Sequence, residues 1–158
     1  MNIRKPTDYS AMFTALNTLM AAVLPQMELY SKIGRLVNTR EKKGAAVAAS
    51  EYLRSTYPDA SGFSPRNLRR MWEFYRICTE DPEVLAQAMT IGWTQNVVIL
   101  EAELTPPEQI WYIRAVRQFG WSKLELQRRI AIKAHLEFSL DFDRAVCYTE
   151  KKHSDSKG

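Results

Sequence analysis

Helix-start signals recur along this chain and constrain its fold more than any other feature of the sequence. Ser64 stands before a proline, and so does Asp81. In each pair the first side chain can accept a hydrogen bond from a free amide of the first turn, and the proline supplies a helical φ where no donor is needed. Two capping boxes repeat the signal: Thr105 with Glu108, and Ser122 with Glu125. Because hairpin turn pairs and long alternation of apolar and polar residues are missing from the sequence, we predict an all-α fold.

Apolar residues spaced by three and four divide the sequence into about six or seven helices. The predicted segments are residues 8–24, 29–38, 44–57, a helix from Ser64, residues 82–89, a helix capped by Thr94, and two helices that flank Gly120. Pro25 either kinks or ends the first segment, so the first two segments form one bent helix or two separate helices. We predict a compact bundle with a helix-turn-helix-like element around Gly120.

Length and composition favour a single domain. A chain of 158 residues that is 46% apolar can bury one core, and we assign residues 1–150 to one domain. Residues 151–158 have nothing to bury, so we predict a disordered tail there. No apolar run approaches the roughly 18 to 20 residues that cross a bilayer. We therefore expect a cytoplasmic protein with no membrane contact.

Signals for metal, cofactor and catalytic chemistry are weak. Cys78 and Cys147 are too few and too scattered for a disulfide framework or a metal knuckle, and the two histidines share no ligand spacing. Residues 150–152 and 155–157 fit the (D/E)-x-K half of a magnesium nuclease motif, but no strand surrounds them, so we interpret both as chance matches. There is no phosphate loop and no nucleophile with a recognisable base. We expect a non-enzymatic protein without a cofactor.

Charge is strongly segregated along the chain, although the net charge is only +4. Residues 32–76 hold ten Lys and Arg against four acids, residues 77–113 hold six acids and no base, and residues 114–133 hold six bases and one acid. If the fold joins the two basic segments, they form a surface for a polyanion. If the acidic segment lies between them, the pattern is one of internal or intermolecular ion pairs.

The segment GFSPRNLRRMWEFYR, residues 62–76, concentrates this positive charge on one helix. At roughly 100° per residue the helix has an apolar stripe and an opposite face rich in arginine. The stripe contains Leu68, Met71, Trp72, Tyr75 and Cys78, and the other face contains Arg66, Arg69, Arg70, Glu73 and Arg76. Phe74 and Ile77 project toward the arginine side, so either another helix or a partner covers them.

Arginine clusters of this kind are typical of nucleic-acid contacts, because the guanidinium is a planar fork for phosphate and guanine. Lys123, Arg128 and Arg129 form a second basic cluster on the helix after Ser122. The alternative is a solvated helix face with internal ion pairs, such as Arg69 or Arg70 with Glu73. Charge alone leaves both interpretations open.

Several blocks, occurring in order, resemble the N-terminal domain of the YhcG-like bacterial proteins. They are LYSKIGRLV, GFSPRNLRRMWEFYR, IGWTQNVVILE, PPEQIWYIRAVRQFGWS and LELQRRI, and together they span roughly residues 10–132. The resemblance implies a DNA-binding, helix-turn-helix-like module that usually precedes a predicted nuclease domain of the PD-(D/E)XK type. It places Arg66, Asn67, Arg69 and Arg70 in one recognisable block, and Trp121 and Ser122 in a second.

Two departures from the family pattern qualify the resemblance. Gln95 stands where many relatives have a histidine, and the sequence ends where the nuclease domain would begin. Our leading hypothesis is therefore a non-catalytic module that binds DNA, most readily duplex DNA, and equals the targeting part of a nuclease without the cutting part. The alternative is a protein-interaction module that forms a homodimer or joins a nuclease-bearing partner, motivated by the acidic segment from Glu80 to Glu108.

Overall fold

The computed structural model describes residues 8–37 and 44–137, and all regular structure within these ranges is helical. The helices are α1 Ser10–Ala21, α2 Gln26–Leu36, α3 Ala45–Thr56, α4 Pro65–Glu80, α5 Pro82–Ala88, α6 Trp93–Glu101, α7 Pro106–Phe119, α8 Lys123–Ala131 and α9 Ala134–Glu137. The all-α prediction is confirmed. The described residues contain nine helices instead of six or seven, because α1 and α2 are separate and a short α9 follows α8.

The chain divides into two compact units, and the boundary in the sequence lies between Pro82 and Glu83. The first unit contains α1 to α4, and the second contains the helices from α5 onward. The prediction of a single domain over residues 1–150 stays a prediction. The predicted tail at 151–158, its two (D/E)-x-K matches, Cys147 and His153 lie outside the described residues.

In the first unit, α4 lies against α2 and α3. At Gly34, which is buried, α2 lies so near α4 that a Cβ built there would be 2.1 Å from the carbonyl oxygen of Met71. A side chain of any size is therefore excluded at this point of the contact. Helix α4 starts as predicted, since Ser64 Oγ accepts a hydrogen bond from the amide of Asn67 at 3.1 Å.

The buried stripe of α4 differs from the predicted one. Phe74, expected on the arginine side, is buried with 3% of its surface exposed, whereas Trp72 and Tyr75 are only half-buried. The stripe runs through Leu68, Met71, Phe74 and Cys78, so it is centred on Met71 and not on Trp72. Burial in this stripe raises the pKa of the Cys78 thiol to about 12, with a smaller contribution from the nearby Asp81. The thiol is therefore neutral and unreactive at neutral pH.

The second unit is organised around α7, from which Trp111 and Tyr112 enter the core. The predicted capping box at the start of α7 is confirmed, because Thr105 and Glu108 bond each other's backbone amides. Gly120 ends the helix in a left-handed conformation, with φ of 65°. A connection of three residues then leads to α8, so the predicted helix-turn-helix-like element is present.

One predicted helix start needs correction. Helix α6 is not capped by Thr94: Gly92 is the N-cap, and Thr94 lies within the first turn. The buried amide of Asn96 donates to the carbonyls of Ala88 and Gly92, at 2.9 and 3.0 Å, which holds the chain in place just before α6. No helix in the described ranges has the length and apolar character that a membrane span requires.

Candidate nucleic-acid interface

The first basic surface lies on the N-terminal half of α4. Arg66 and Arg69 are exposed and Arg70 is half-buried. The first turn of the helix contains no acidic residue. Arg69 makes no ion pair with any residue that the structure describes. We call Arg66, Arg69 and Arg70 the α4 basic surface.

Arg76, the fourth predicted arginine of α4, is compensated by acids. Its guanidinium pairs with the carboxylate of Glu73 and lies 3.7 Å from that of Glu80. It also lies over the ring of Trp72, with 5.7 Å between the guanidinium carbon and the ring centroid. The hydrogen bond to Glu73 is the main reason that the pKa of Arg76 is raised. These contacts give Arg76 a structural role on the helix and separate it from the α4 basic surface.

Asn67 has a role in forming the helix start. Its side-chain amide donates to the carbonyl of Gly62 at 2.6 Å, while its backbone amide donates to Ser64. Gly62 has a φ of 89°, so the loop turns sharply at the point that Asn67 holds. This arrangement fixes the entry to α4 and positions the first arginines of the helix.

The second predicted cluster, on α8, separates into exposed and packed cations. Lys123 is exposed, and 79% of the Arg128 side chain is accessible. Arg129 instead lies over the ring of Trp121 at 5.1 Å and donates from Nε to Glu125 at 2.7 Å. Glu125 also lies 3.7 Å from Arg128. Arg129 is therefore a structural contact that joins α8 to the preceding turn.

The second predicted capping box is only half formed. Ser122 Oγ accepts a hydrogen bond from the amide of Glu125 at 3.3 Å, as predicted. The Glu125 carboxylate pairs with Arg128 and Arg129, and no reciprocal bond to the backbone of Ser122 completes a box. An ion pair with a neighbouring guanidinium has replaced the second half of the motif.

Part of the acidic segment pairs within the chain. Glu83 lies 3.5 Å from Arg114, and both belong to the second unit. Arg117 donates instead to the side-chain oxygen of Gln87 at 3.1 Å. The internal ion-pairing alternative thus applies at Arg114, as it does at Arg76 and Arg129. It does not apply to the exposed ammonium of Lys123, which makes no ion pair with the described part of the chain.

Sequence reasoning missed two side chains on α8. Leu124 is 75% exposed, and Gln127 is exposed on the next turn. With Arg128 and Ala131 they occupy positions spaced by three, four and seven residues along the helix, on the side away from the buried Leu126. This spacing predicts that the four residues share one helix face. Leu124 and Gln127 were not predicted as site residues because they carry no charge.

His135 also has a defined role that sequence spacing did not indicate. Its Nδ1 lies 2.8 Å from the hydroxyl of Tyr112, and its Nε2 lies 2.8 Å from a carboxylate oxygen of Glu108. The histidine ring therefore links α9 to two residues of α7 that are one helical turn apart, Glu108 and Tyr112. Since Tyr112 is completely buried, this cluster is a structural one.

Glu108 is expected to make the fold more stable at neutral pH than in acid. Hydrogen bonds from the backbone and hydroxyl of Thr105 lower the pKa of its carboxyl below the ordinary value of 4.5, and His135 adds to this effect. A lowered folded-state pKa gives stability that is full above the unfolded-state value and is lost as the pH falls through the folded-state value. The melting temperature of Glu108→Gln should therefore fall below that of the wild type at about pH 7, and the difference should shrink toward about pH 3.

Circular dichroism at several pH values measures this difference. Glu103→Gln is the control, because it removes an exposed carboxylate of the same unit that is outside the capping box. A melting-temperature difference for Glu108→Gln that is independent of pH would contradict the prediction.

The profile of a family described as the DUF1016 N-terminal domain matches residues 13–137. The chain belongs to this family. The resemblance to the N-terminal domain of YhcG-like proteins is confirmed by this match. Both basic helices, α4 and α8, fall within the DUF1016 N-terminal domain. Neither a curated protein nor a solved structure matches the chain.

Proposed function

We propose that this DUF1016 N-terminal domain is a non-catalytic module that binds duplex DNA through basic helix faces. One observation carries the proposal: acids and bases are separated along α4. Glu73 and Glu80 occupy the C-terminal half of the helix and pair with Arg76, whereas Arg66 and Arg69 are exposed in the first half. Glu73 lies four residues after Arg69, within reach of an intrahelical ion pair, but its carboxylate pairs with Arg76. Arg69 is exposed and makes no ion pair with the described residues, so its positive charge is available to a phosphate.

The spacing of the α4 basic surface suits phosphate contact. Residues three apart on a helix lie on the same face, with roughly 5 to 6 Å between their Cβ atoms. Arg66 and Arg69 are related in this way, so their guanidinium groups can approach neighbouring phosphates of one strand. Such contacts supply affinity and orientation without reading the sequence. Lys123 and Arg128 on α8 provide further exposed cations of the second unit.

No catalytic step is part of the proposal. The described thiol, that of Cys78, is buried and has a raised pKa, and Tyr112 is buried beside His135. The buried core positions of these groups suit structural roles. A link to a nuclease, in the same chain or in a partner, rests on the resemblance to YhcG-like proteins and stays a prediction.

Salt dependence of DNA binding tests the proposed function. Fluorescence anisotropy with a labelled duplex of mixed sequence should give saturable binding at about 50 mM salt and much weaker binding at about 200 mM. The slope of log affinity against log salt should be about −0.9 for each phosphate contacted. A flat salt response, or no binding at the lower salt concentration, would rule out phosphate contact as the basis of the function.

A protein-interaction module is the second candidate, because large apolar side chains are exposed on the second unit. Phe119 is 45% exposed, Leu124 75% and Ile132 56%. Exposed apolar groups of this kind, when contiguous, mark interaction sites. Sedimentation velocity over a range of protein and salt concentrations tests self-association. A monomer throughout excludes a homodimer and leaves a different partner as the remaining form of this candidate.

A further inference from the structure

The orientation of α8 is fixed by contacts on its inner side. Leu126 is completely buried, and the Arg129 guanidinium lies over Trp121 while bonding Glu125. Trp121 in turn stacks on Phe119, the last residue of α7, with ring centroids 5.5 Å apart. The turn and the helix are therefore held together by packed groups, and the opposite side of α8 has a fixed direction.

That outward face is mixed in chemistry and contains no acid. Leu124, Gln127, Arg128 and Ala131 occupy it, all of them exposed. Among the described residues, the carboxylate that pairs with this face is that of Glu125, 3.7 Å from Arg128. An ion pair with so exposed a guanidinium contributes little to stability, so Arg128 can exchange it for another acceptor.

The dimensions of the face match the edge of a few base pairs. Leu124 and Ala131 are seven residues apart, which is about 10 Å along a helix. That length spans about three base-pair steps of 3.4 Å, and the major groove of B-DNA is wide enough to admit an α-helix. A second helix after a tight turn is the element that enters this groove in helix-turn-helix proteins.

The side chains on the face are suited to bases and not only to phosphates. A glutamine can donate and accept simultaneously, which matches the N6 and N7 positions of adenine. An arginine matches the O6 and N7 positions of guanine, and an exposed aliphatic group contacts the methyl of thymine. The α4 basic surface differs in composition, because it contains arginines only and lacks the amide and aliphatic groups that α8 presents for adenine and thymine.

We infer that α8 reads base edges, with Gln127 and Leu124 as specificity-determining residues, while the α4 basic surface supplies sequence-independent affinity. This inference rests on the proposed DNA-binding function. It goes beyond it by assigning sequence preference to two uncharged side chains of one helix. The class of ligand is a duplex with a short preferred sequence that contains an adenine for Gln127 and a thymine methyl for Leu124.

Selection from a randomised duplex library tests the inference. The full chain should enrich a short motif, and binding to this motif should exceed binding to single-base variants by about tenfold or more. Gln127→Ala should reduce the discrimination at one adenine position to nearly one, and Leu124→Ala should do so at a thymine position. A loss of preference at one defined position is a readout that general destabilisation would not produce.

Leu136→Ala is a matched control, because this leucine is 72% exposed in the same unit but lies outside α8. It should select the wild-type motif. If the wild type binds DNA without any preference, or if both α8 variants select the unchanged motif, the inference is overturned and the proposed function stands. If the wild type binds no DNA at the lower salt concentration, both fall.

Discussion

Replacing Arg66 and Arg69 with alanine is expected to weaken binding to mixed-sequence duplex DNA by about 10- to 100-fold at low salt. Both side chains are exposed on the α4 basic surface, and each is assigned one phosphate contact. Losing two such contacts should also reduce the slope of log affinity against log salt by about 2. The change in slope gives the number of phosphate contacts that are lost, which the loss of affinity alone does not give.

Arg35→Ala with Arg54→Ala is the charge-matched control for this variant. These arginines are also exposed in the first unit, but they lie on α2 and α3. Net charge is the same in the two double variants, so any difference in binding comes from position. Equal losses of affinity and slope would mean that total charge, and not the α4 basic surface, attracts the DNA. Circular dichroism should give the same helicity for both variants.

Gly34→Ala is expected to destabilise the first unit by about 2 to 4 kcal/mol, a shift of roughly 10 °C or more in its melting temperature. Alanine is the better helix former by about 1 kcal/mol, so propensity alone would predict stabilisation. The added Cβ, however, would lie 2.1 Å from the carbonyl oxygen of Met71. A backbone atom cannot rotate away as a side chain can, so α2 and α4 must move apart. The steric cost therefore exceeds the gain in propensity.

Gly92→Ala provides a matched substitution in the other unit. A Cβ there would meet the side-chain oxygen of Gln95 at 2.9 Å, and that flexible group can move aside. The backbone φ of Gly92 is −76°, which alanine adopts readily. We expect a change within about 1 kcal/mol, measured by urea unfolding. If Gly34→Ala unfolded at the same urea concentration as the wild type, the contact between α2 and α4 would be looser than described, and the prediction for Gly34 would be wrong.

Local signals predicted most of the helices well, because a helix start depends on a few neighbouring residues. The cap at Ser64, the box formed by Thr105 and Glu108, and the stop at Gly120 all follow from interactions within four residues in sequence. The start of α6 was misplaced because it depends on Asn96, whose amide reaches the carbonyl of Ala88 eight residues earlier. Local chemistry at Thr94 gave no sign of that contact.

Tertiary contacts explain the remaining differences. Helical periodicity placed Phe74 on the wrong side, since a rotation of less than one residue changes which neighbours are buried, and only the packed fold fixes that rotation. The sequence indicates which residues carry charge but not which carboxylate each will meet. Arg76 and Arg129 are therefore compensated although they appeared equivalent to Arg69 and Lys123. Gly34 and His135 gained their roles entirely from residues distant in sequence.

Two of the arginines that pair with acids also cover a half-buried indole: Arg76 lies over Trp72 on α4, and Arg129 lies over Trp121 beside α8. Trp93 and Trp111 are buried. Of the four tryptophans, one therefore lies on α4, one lies beside α8, and two are buried. Emission from variants that retain only Trp72 or only Trp121 would report occupancy of each helix separately, without an attached dye.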